Sequence, residues 1–439
     1  MFVNIGQYAI VRKFSPLPSC TISVSVRNER PHIAHPGRRS HPGCGGGIPG
    51  GYGMTKKALL HGTVETMAGR VLRDACVVID AGKIVSVEEK GTAPEGCEVF
   101  DVTGTTVTPG FIDAHTHIGT YCDGFPEAME DANDMVDPVA PQLRILDAIY
   151  QDDTAFADAL RGGVTCVQTL PGSGNIIGGQ GAVIKTKPDV ADRMVMVAPS
   201  GMKAALGENP IRVYKEKNKL PNTRMGNAAL MRSALVNAAN YRAKREQAET
   251  KGDAFERNLA WEAMLPVLDG TLPLRVHAHR CDDIATAVRI AKEFGVRLTI
   301  EHCTEGHLIA DFLAENNVMA AVGPTLTGKP KIELRNKTWE TLPILYKAGV
   351  HLCIITDHPV IPLEHLSVCV ALAVKAGLPR EAALRCVTLG AAEHLGIQDR
   401  VGTLEPGKDA DIVVWDGDPL DARTSVRLTL VNGEVAYRA

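Results

Sequence analysis

The chain has few of the features that define several large protein classes. Its eleven cysteines include no CxxC pair and no short-spaced framework, which excludes a disulfide-stapled secreted module and points to a reducing, cytoplasmic setting. No uninterrupted apolar run of about 18 residues occurs, which argues against a membrane span. Charge of one sign is also missing. Lys and Arg number 47 against 51 Asp and Glu, a net of −4, so no global field points to nucleic acid or an anionic membrane, and a small-molecule substrate is expected. The opening MFVNIGQYAIVRKF has no continuous apolar core and no small-residue cleavage site at the right distance, so it does not read as a clean signal peptide.

What is present is an ordinary globular composition, 45% hydrophobic and 22% charged over 439 residues, long enough for one large barrel and a small accessory domain. The first fifty residues differ. The stretch HPGRRSHPGCGGGIPGGYG is dense in Gly, Pro, Arg and His without apolar periodicity, so residues 1–53 are expected to form a disordered extension, with Met54 the start of patterned sequence. His41 and Cys44 within it do not close a metal site, because two ligands are too few.

From Ala58 to Thr108 short β-like runs such as ACVVID and KIVSVEE alternate with Gly turns, and the C-terminus repeats that character in DIVVWD and VRLTLVNGEVAY, with PG and NG turn dipeptides. Neither end has enough strands alone, so residues 54–108 and 396–439 are expected to combine into one small β-sandwich. Between them, over 109–395, the apolar runs GFIDAHTH, GVTCVQTL, MVMVAPS, LRVHAH, RLTIEHC, VMAAVGP and VHLCIITD alternate with helix-length amphipathic segments. Strand then helix, repeated this often, predicts an α/β fold with a parallel sheet closed as a (β/α)8 TIM barrel.

Metal-binding side chains fall at the downstream ends of these predicted strands, which all meet on one face of a parallel barrel. His115 and His117 are two apart in DAHTH, and residues i and i+2 of a strand project to the same side about 6.5 Å apart. His277 closes LRVHAH, His302 closes RLTIEHC and Asp357 closes VHLCIITD. A lone His is more often a satisfied core or surface residue, but the ordered series HxH, His, His, Asp at strand ends points to a cation site. A dication lowers the pKa of coordinated water from about 15.7 to about 7, and Asp357 beside that hydroxide can take its proton during attack and pass it to a leaving nitrogen. Imidazole and carboxylate suit Zn, Mn, Fe or Co, whereas Cys303 is expected to point away by strand alternation. His279, on the same strand face as His277, Tyr121 after the first strand and His358 after Asp357 are candidate substrate contacts. His307 reads as structural. The Gly-rich PGSGNIIGGQG lacks the Lys-Ser/Thr of a P-loop and reads as a tight active-site loop.

On PGFIDAHTH, the two later histidines, Asp357 and the tail GTLEPGKDADIVVWD, the chain resembles the amidohydrolase superfamily from Met54 onward. The resemblance implies one or two divalent metal ions, Zn first among them, held by His115, His117, His277, His302 and Asp357. It also implies a bridging residue on strand four, for which Lys203 in MVMVAPSGMKAALGENP is the choice and Glu208 the alternative. The implied activity is hydrolysis of an amide or cyclic amide C–N bond, imidazolonepropionase-like or prolidase-like; dimers or larger assemblies are common in the resembled family, and the oligomeric state of this chain is left open. Two alternatives stand beside it. One is a heterocyclic amine deaminase, although the Glu of an HxxE segment is missing after His277; the other is a non-catalytic, dihydropyrimidinase-type scaffold, against which the intact ligand set argues.

Overall fold

The computed structural model describes residues 56–122 and 130–439; the extension read over 1–53, with Met54, His41 and Cys44, lies outside the described residues. The first strands are β1 (Lys57–Glu65), β2 (Val71–Asp80), β3 (Lys83–Glu89), β4 (Glu98–Asp101) and β5 (Thr106–Pro109). A second series follows: β6 (Phe111–Thr116), β7 (Val164–Thr169), β8 (Ile177–Lys185), β9 (Val195–Ala205), β10 (Leu274–Ala278), β11 (Leu298–His302), β12 (Met319–Val322) and β13 (His351–Ile354). The chain ends in β14 (Ile412–Trp415), β15 (Val426–Val431) and β16 (Glu434–Arg438).

Strands β6 to β13 make one eight-stranded sheet in chain order, a nearly closed barrel. Its pairs are parallel except at β8, which runs antiparallel to both β7 and β9. This corrects two expectations. The chain is not a strictly alternating (β/α)8 series, and the Gly-rich stretch is a loop only up to its first half, with Ile177–Lys185 a strand. Glycines at 178, 179 and 181 interrupt the period-two pattern, so the strand is invisible to an alternation test. At the seam, β6 and β13 are joined by single bonds instead of a ladder. The Asp113 carboxylate accepts from the Thr356 N–H (2.9 Å) and hydroxyl (2.6 Å), and the His117 N–H donates to the His358 carbonyl (2.9 Å).

Helices cover the barrel's outside by the usual periodicity. In Cys281–Phe294 the buried Ile284, Ala287, Val288 and Ala291 form one stripe that shares an apolar cluster with Val276 and Ala278 of β10 and Ile300 of β11. Gly295 ends that helix at φ 68°. The helix Arg224–Lys251 begins on Thr223, whose side chain accepts from the Gly226 N–H. Among the described residues no helix is long and apolar enough to cross a membrane.

The two chain ends do combine, but into one connected sheet in the order β16-β15-β14-β5-β1-β2-β3, with β4 also on β1, rather than two separate sheets of a sandwich. Leu59, Val77 and Ile79 point into its core with Ile412, Val414 and Leu430, whereas Ala58, Cys76 and Val78 face the other side, the period-two signature of a strand. The NG dipeptide places Asn432 at φ 49° and Gly433 at φ 73°, the two positive values a type I′ hairpin between β15 and β16 requires.

The terminal sheet is tied to the barrel by buried charge as well as by apolar contact. Lys185 at the end of β8 bonds Asp411 at 2.6 Å and Asp409 at 3.1 Å, all three nearly inaccessible. Trp415 packs against Phe111 with ring centroids 5.1 Å apart and planes tilted by 38°, and its indole N–H donates to the Thr108 hydroxyl. Lys185→Met removes the cation and leaves Asp411 buried against a methyl group. Its expected cost is about 3 kcal/mol in urea unfolding, and an unchanged midpoint would show that Lys83 and Arg400 suffice for Asp409 and the Asn432 N–H for Asp411.

Candidate metal centre

At the downstream strand ends the inward positions carry polar side chains. Along β10, Val276 and Ala278 face the helices, so Arg275, His277 and, just beyond, His279 face inward. On β11 the outward residue is Ile300, so Thr299 and Glu301 point in and strict alternation would send His302 outward. The strand stops there: His302 and Cys303 adopt φ 74° and 46°, which turns the imidazole back into the barrel. Cys303 does lie away from the site, buried in the outer apolar cluster, but because the chain turns and not by alternation. Asp357, at φ 55° just beyond β13, is aimed inward by the same kind of turn.

These residues converge. Asp357 Oδ1 is 3.3 Å from His117 Nε2 and 3.6 Å from His115 Nε2, and Lys203 Nζ is 3.0 Å from His115 Nε2. The His302 ring lies 4.8 Å from that of His115, 4.3 Å from that of His277 and 5.0 Å from that of His279. Two sets of three side chains bring potential ligand atoms within 4.8 Å of one another: His115, His117 and Asp357, and His277, His279 and His302. His279, expected as a substrate contact, lines the cavity and also belongs to the second set. Glu208 is in neither set; it opens the helix Glu208–Lys215, where its backbone N–H donates to Glu333.

The second nitrogens explain how the rings are aimed. His117 Nδ1 bonds the Leu170 carbonyl (2.8 Å) and His302 Nδ1 the Gly323 carbonyl (2.9 Å). A carbonyl only accepts, so Nδ1 carries the proton and Nε2 presents a lone pair. His115 Nδ1 lies 2.9 Å from the buried Glu301 carboxylate, with the same consequence. His279 Nδ1 is held by the Thr304 hydroxyl at 2.8 Å. His277 Nδ1 is buried with no hydrogen-bond partner among the described residues, an orphan of the kind a bound ion explains.

Electrostatics point the same way. Burial and the adjacent Lys203 push His115 down to about 3, and burial with neighbouring imidazoles holds His277 and His279 well below the usual histidine range. Burial brings Lys203 down to about 8. For Asp357 burial acts upward, but His302, His117 and His115 outweigh it and keep the carboxylate ionised. Neutral imidazoles and one ionised carboxylate are the protonation states a borderline divalent cation takes as ligands, so the residues present fit such an ion.

The cluster forms the floor of a cavity of about 980 Å³, with His117, His277, His279 and Asp357 exposed to it. Tyr121 lines the wall, its ring 5.7 Å from His117 and its hydroxyl accepting from Asn133. Gly172, Ser173 and Gly174 line it too, so the first half of the Gly-rich stretch does border the pocket. His358 does not: it is buried behind Asp357, and its successors Pro359 and Val360 reach the cavity instead. His307 sits in the turn Gly306–Ile309 with Nδ1 on the Thr341 hydroxyl, outside the cavity.

The profile of the amidohydrolase family matches residues 106–437. The chain belongs to the amidohydrolase family. A crystal structure of an amidohydrolase from Thermotoga maritima is 42% identical, covers 87% of this chain and all of that one, and superposes with a TM-score of 0.85. Amidohydrolase tasK of Hapsidospora irregularis is 30% identical over 390 residues, 82% of this chain, which spans only 40% of the length of that relative. An imidazolonepropionase of Rhodococcus jostii is 25% identical over 361 residues, covering 79% of this chain and 83% of its own. Family members generally bind divalent metals and act on C–N bonds of small molecules.

Sequence reasoning missed the residues behind the amidohydrolase cluster. Glu301 stands beside His302 in RLTIEHC and Asp113 two before His115 in PGFIDAHTH, so adjacency to the motifs was the available signal. Gly323 had none: its role is a carbonyl. At φ 152° it also has no room for a side chain, since a Cβ would fall 2.2 Å from the Ile355 carbonyl. Gly323→Ala is expected to cost about 3 kcal/mol in chemical denaturation and to loosen His302. Wild-type stability in that variant would mean the strand end shifts freely.

Proposed function

We propose that this amidohydrolase is a metal-dependent enzyme that hydrolyses an amide or cyclic amide C–N bond of a small molecule, with Asp357 as the proton acceptor. The observation that carries the reading is the meeting of His115, His117, His277, His302, Asp357 and Lys203 at the floor of one cavity. Of these, His115, His117, His277, His302 and Asp357 are the proposed ligands, Zn the proposed ion, and His279 a further donor or substrate contact. A cation held here supplies the Lewis acidity that makes water acidic near neutral pH and polarises a carbonyl. Lys203, lowered to about 8, keeps a larger neutral fraction than an ordinary lysine, the form that adds CO2 with loss of a proton to give a carbamate, which would offer its oxygens to an ion held here.

Among the described residues Asp357 is the carboxylate that both touches the imidazoles and faces the cavity, so it can take a proton from the attacking water and return it to the leaving nitrogen. Its ionised state supports that role. The Nδ1 contacts of His115, His117 and His302 keep those rings from swinging as charge moves. Tyr121, on the cavity wall beside His117, is a proposed substrate contact. On this reading residues 109–395 carry the site, and 54–108 with 396–439 form a second domain, supported by its own apolar cluster and joined to the barrel's through Val413, Trp415 and Val426. Free cysteines throughout the described residues suit a reducing, cytoplasmic setting.

The purified protein is expected to contain one or two equivalents of metal by elemental analysis, and chelation should abolish cleavage of a panel of N-acyl amino acids, dipeptides and lactams until Zn is restored. A protein that takes up no metal and cleaves none of them sinks the reading. Asp357→Asn should lower kcat by about 10²-fold or more. Glu301→Gln, which contacts no substrate, should instead weaken metal affinity by about 10- to 100-fold, read by competition with a chelating dye; equal effects of the two on kcat at saturating metal would refute this division of roles.

A further inference from the structure

One wall of the cavity is basic. Arg212, Lys329 and Lys331 line it, and among the described lining residues outside the imidazole cluster Glu130 is the carboxylate that opposes them. Lys331 is three-quarters buried, and its ammonium donates to Asn209 Oδ1 at 2.5 Å. The other end of that amide, Nδ2, is 2.8 Å from Ser173 Oγ and 3.4 Å from His277 Nε2. Asn209 is therefore a one-residue link between the basic wall and the proposed metal cluster. Arg212, one helical turn along from Asn209, has no ion-pair partner among the described residues.

The wall is held in place. Lys337 donates to the Thr327 and Gly328 carbonyls, each at 2.8 Å, which fixes the loop that carries Lys329 and Lys331. Buried Glu333 accepts from the Glu208 N–H and ties the start of the Arg212 helix to the same loop. Glu333 also lies 3.9 Å behind Lys331. Among the described residues Glu130, Glu333 and Glu208, whose field also reaches Lys331, stand against the three cations, so the wall has no large positive surplus and suits a monoanion held by directed hydrogen bonds better than a doubly charged phosphate.

Resting on the amidohydrolase reading of this site, we propose that Lys331 and Arg212, with Asn209 between them and the cluster, form a subsite for a substrate carboxylate, so that the enzyme acts on amides bearing one carboxylate about one amino-acid unit from the scissile bond. N-acyl amino acids and acid-bearing cyclic amides are this class. Lys331 supplies the charge-assisted bond, Asn209 fixes the spacing, and Met135, Val213 and Leu334 leave an apolar wall for the remainder.

The test compares matched pairs on the full-length, metal-loaded chain: N-acetylglycine against N-acetylglycinamide, and hippurate against hippuramide. Binding is measured by calorimetry and turnover by amine release. Each carboxylate should bind at least tenfold more tightly than its neutral partner. Lys331→Met and Arg212→Met together should erase that preference while leaving neutral-amide affinity within threefold, and Lys331→Arg should restore most of it; thermal melts confirm that the variants fold. Equal binding within each pair overturns the subsite, as does absence of binding, and so does a preference that survives the double variant, which assigns the carboxylate to the metal instead. Discriminating binding without any cleavage keeps the subsite and refutes the hydrolase reading; cleavage without carboxylate preference does the reverse.

Discussion

Five imidazoles packed together in a barrel floor must be neutral and must each present a lone pair inward, and the rest of the structure serves that constraint. A histidine ring has two nitrogens, and fixing the proton on one exposes the other. Glu301 and the carbonyls of Leu170 and Gly323 take the Nδ1 protons of His115, His117 and His302, each from a different strand end. Separate loops could not hold so many rings to such tolerance. Converging strands can, because each ring's position follows from a ladder register.

Beneath the rings the barrel buries charge that an apolar core would reject. The Arg275 guanidinium, fully enclosed, donates to the Ser200 and His394 carbonyls and lies near Glu301, which also accepts from Thr299. Asp113, raised to about 7 by burial, closes the seam between β6 and the turn after β13 while holding the His115 backbone. Every one of these groups is paired, so the cost of desolvation is offset and the floor becomes rigid. Above it, the rim is assembled from loops that differ in chemistry, basic on one wall and glycine-rich on another. The stiff floor suits a general bond-breaking site, and the rim is where selectivity arises.

Much of this was legible before any coordinates. Strand-like runs ending in HxH, His, His and Asp located the cluster because metal chemistry restricts residue type and parallel strands restrict placement. Lys203 came from resemblance, and it stands 3.0 Å from His115. The pairing of the two chain ends was visible in short β-like runs between glycine and NG turns, with too few strands at either end to form a core alone. Strand β8 was hidden because glycines carry no hydropathy signal, and the sandwich was misjudged because strand count does not say whether a sheet is split or continuous. The reason for the orientation of Cys303 was also wrong: a left-handed residue inverted the phase of alternation at the strand end.

What the linear chain determined is the inventory: which side chains can ligate, roughly where strands end, and that no strong field or apolar span competes with a small-molecule pocket. Those properties are local, written in residue type and period. Which nitrogen of each ring faces the centre, that His279 joins His277 and His302, and that Lys331 stands one amide away from His277 were decided only by the folded barrel. Such relations depend on distances between residues scores of positions apart, on backbone carbonyls that every sequence possesses equally, and on turns whose φ values propensity does not encode.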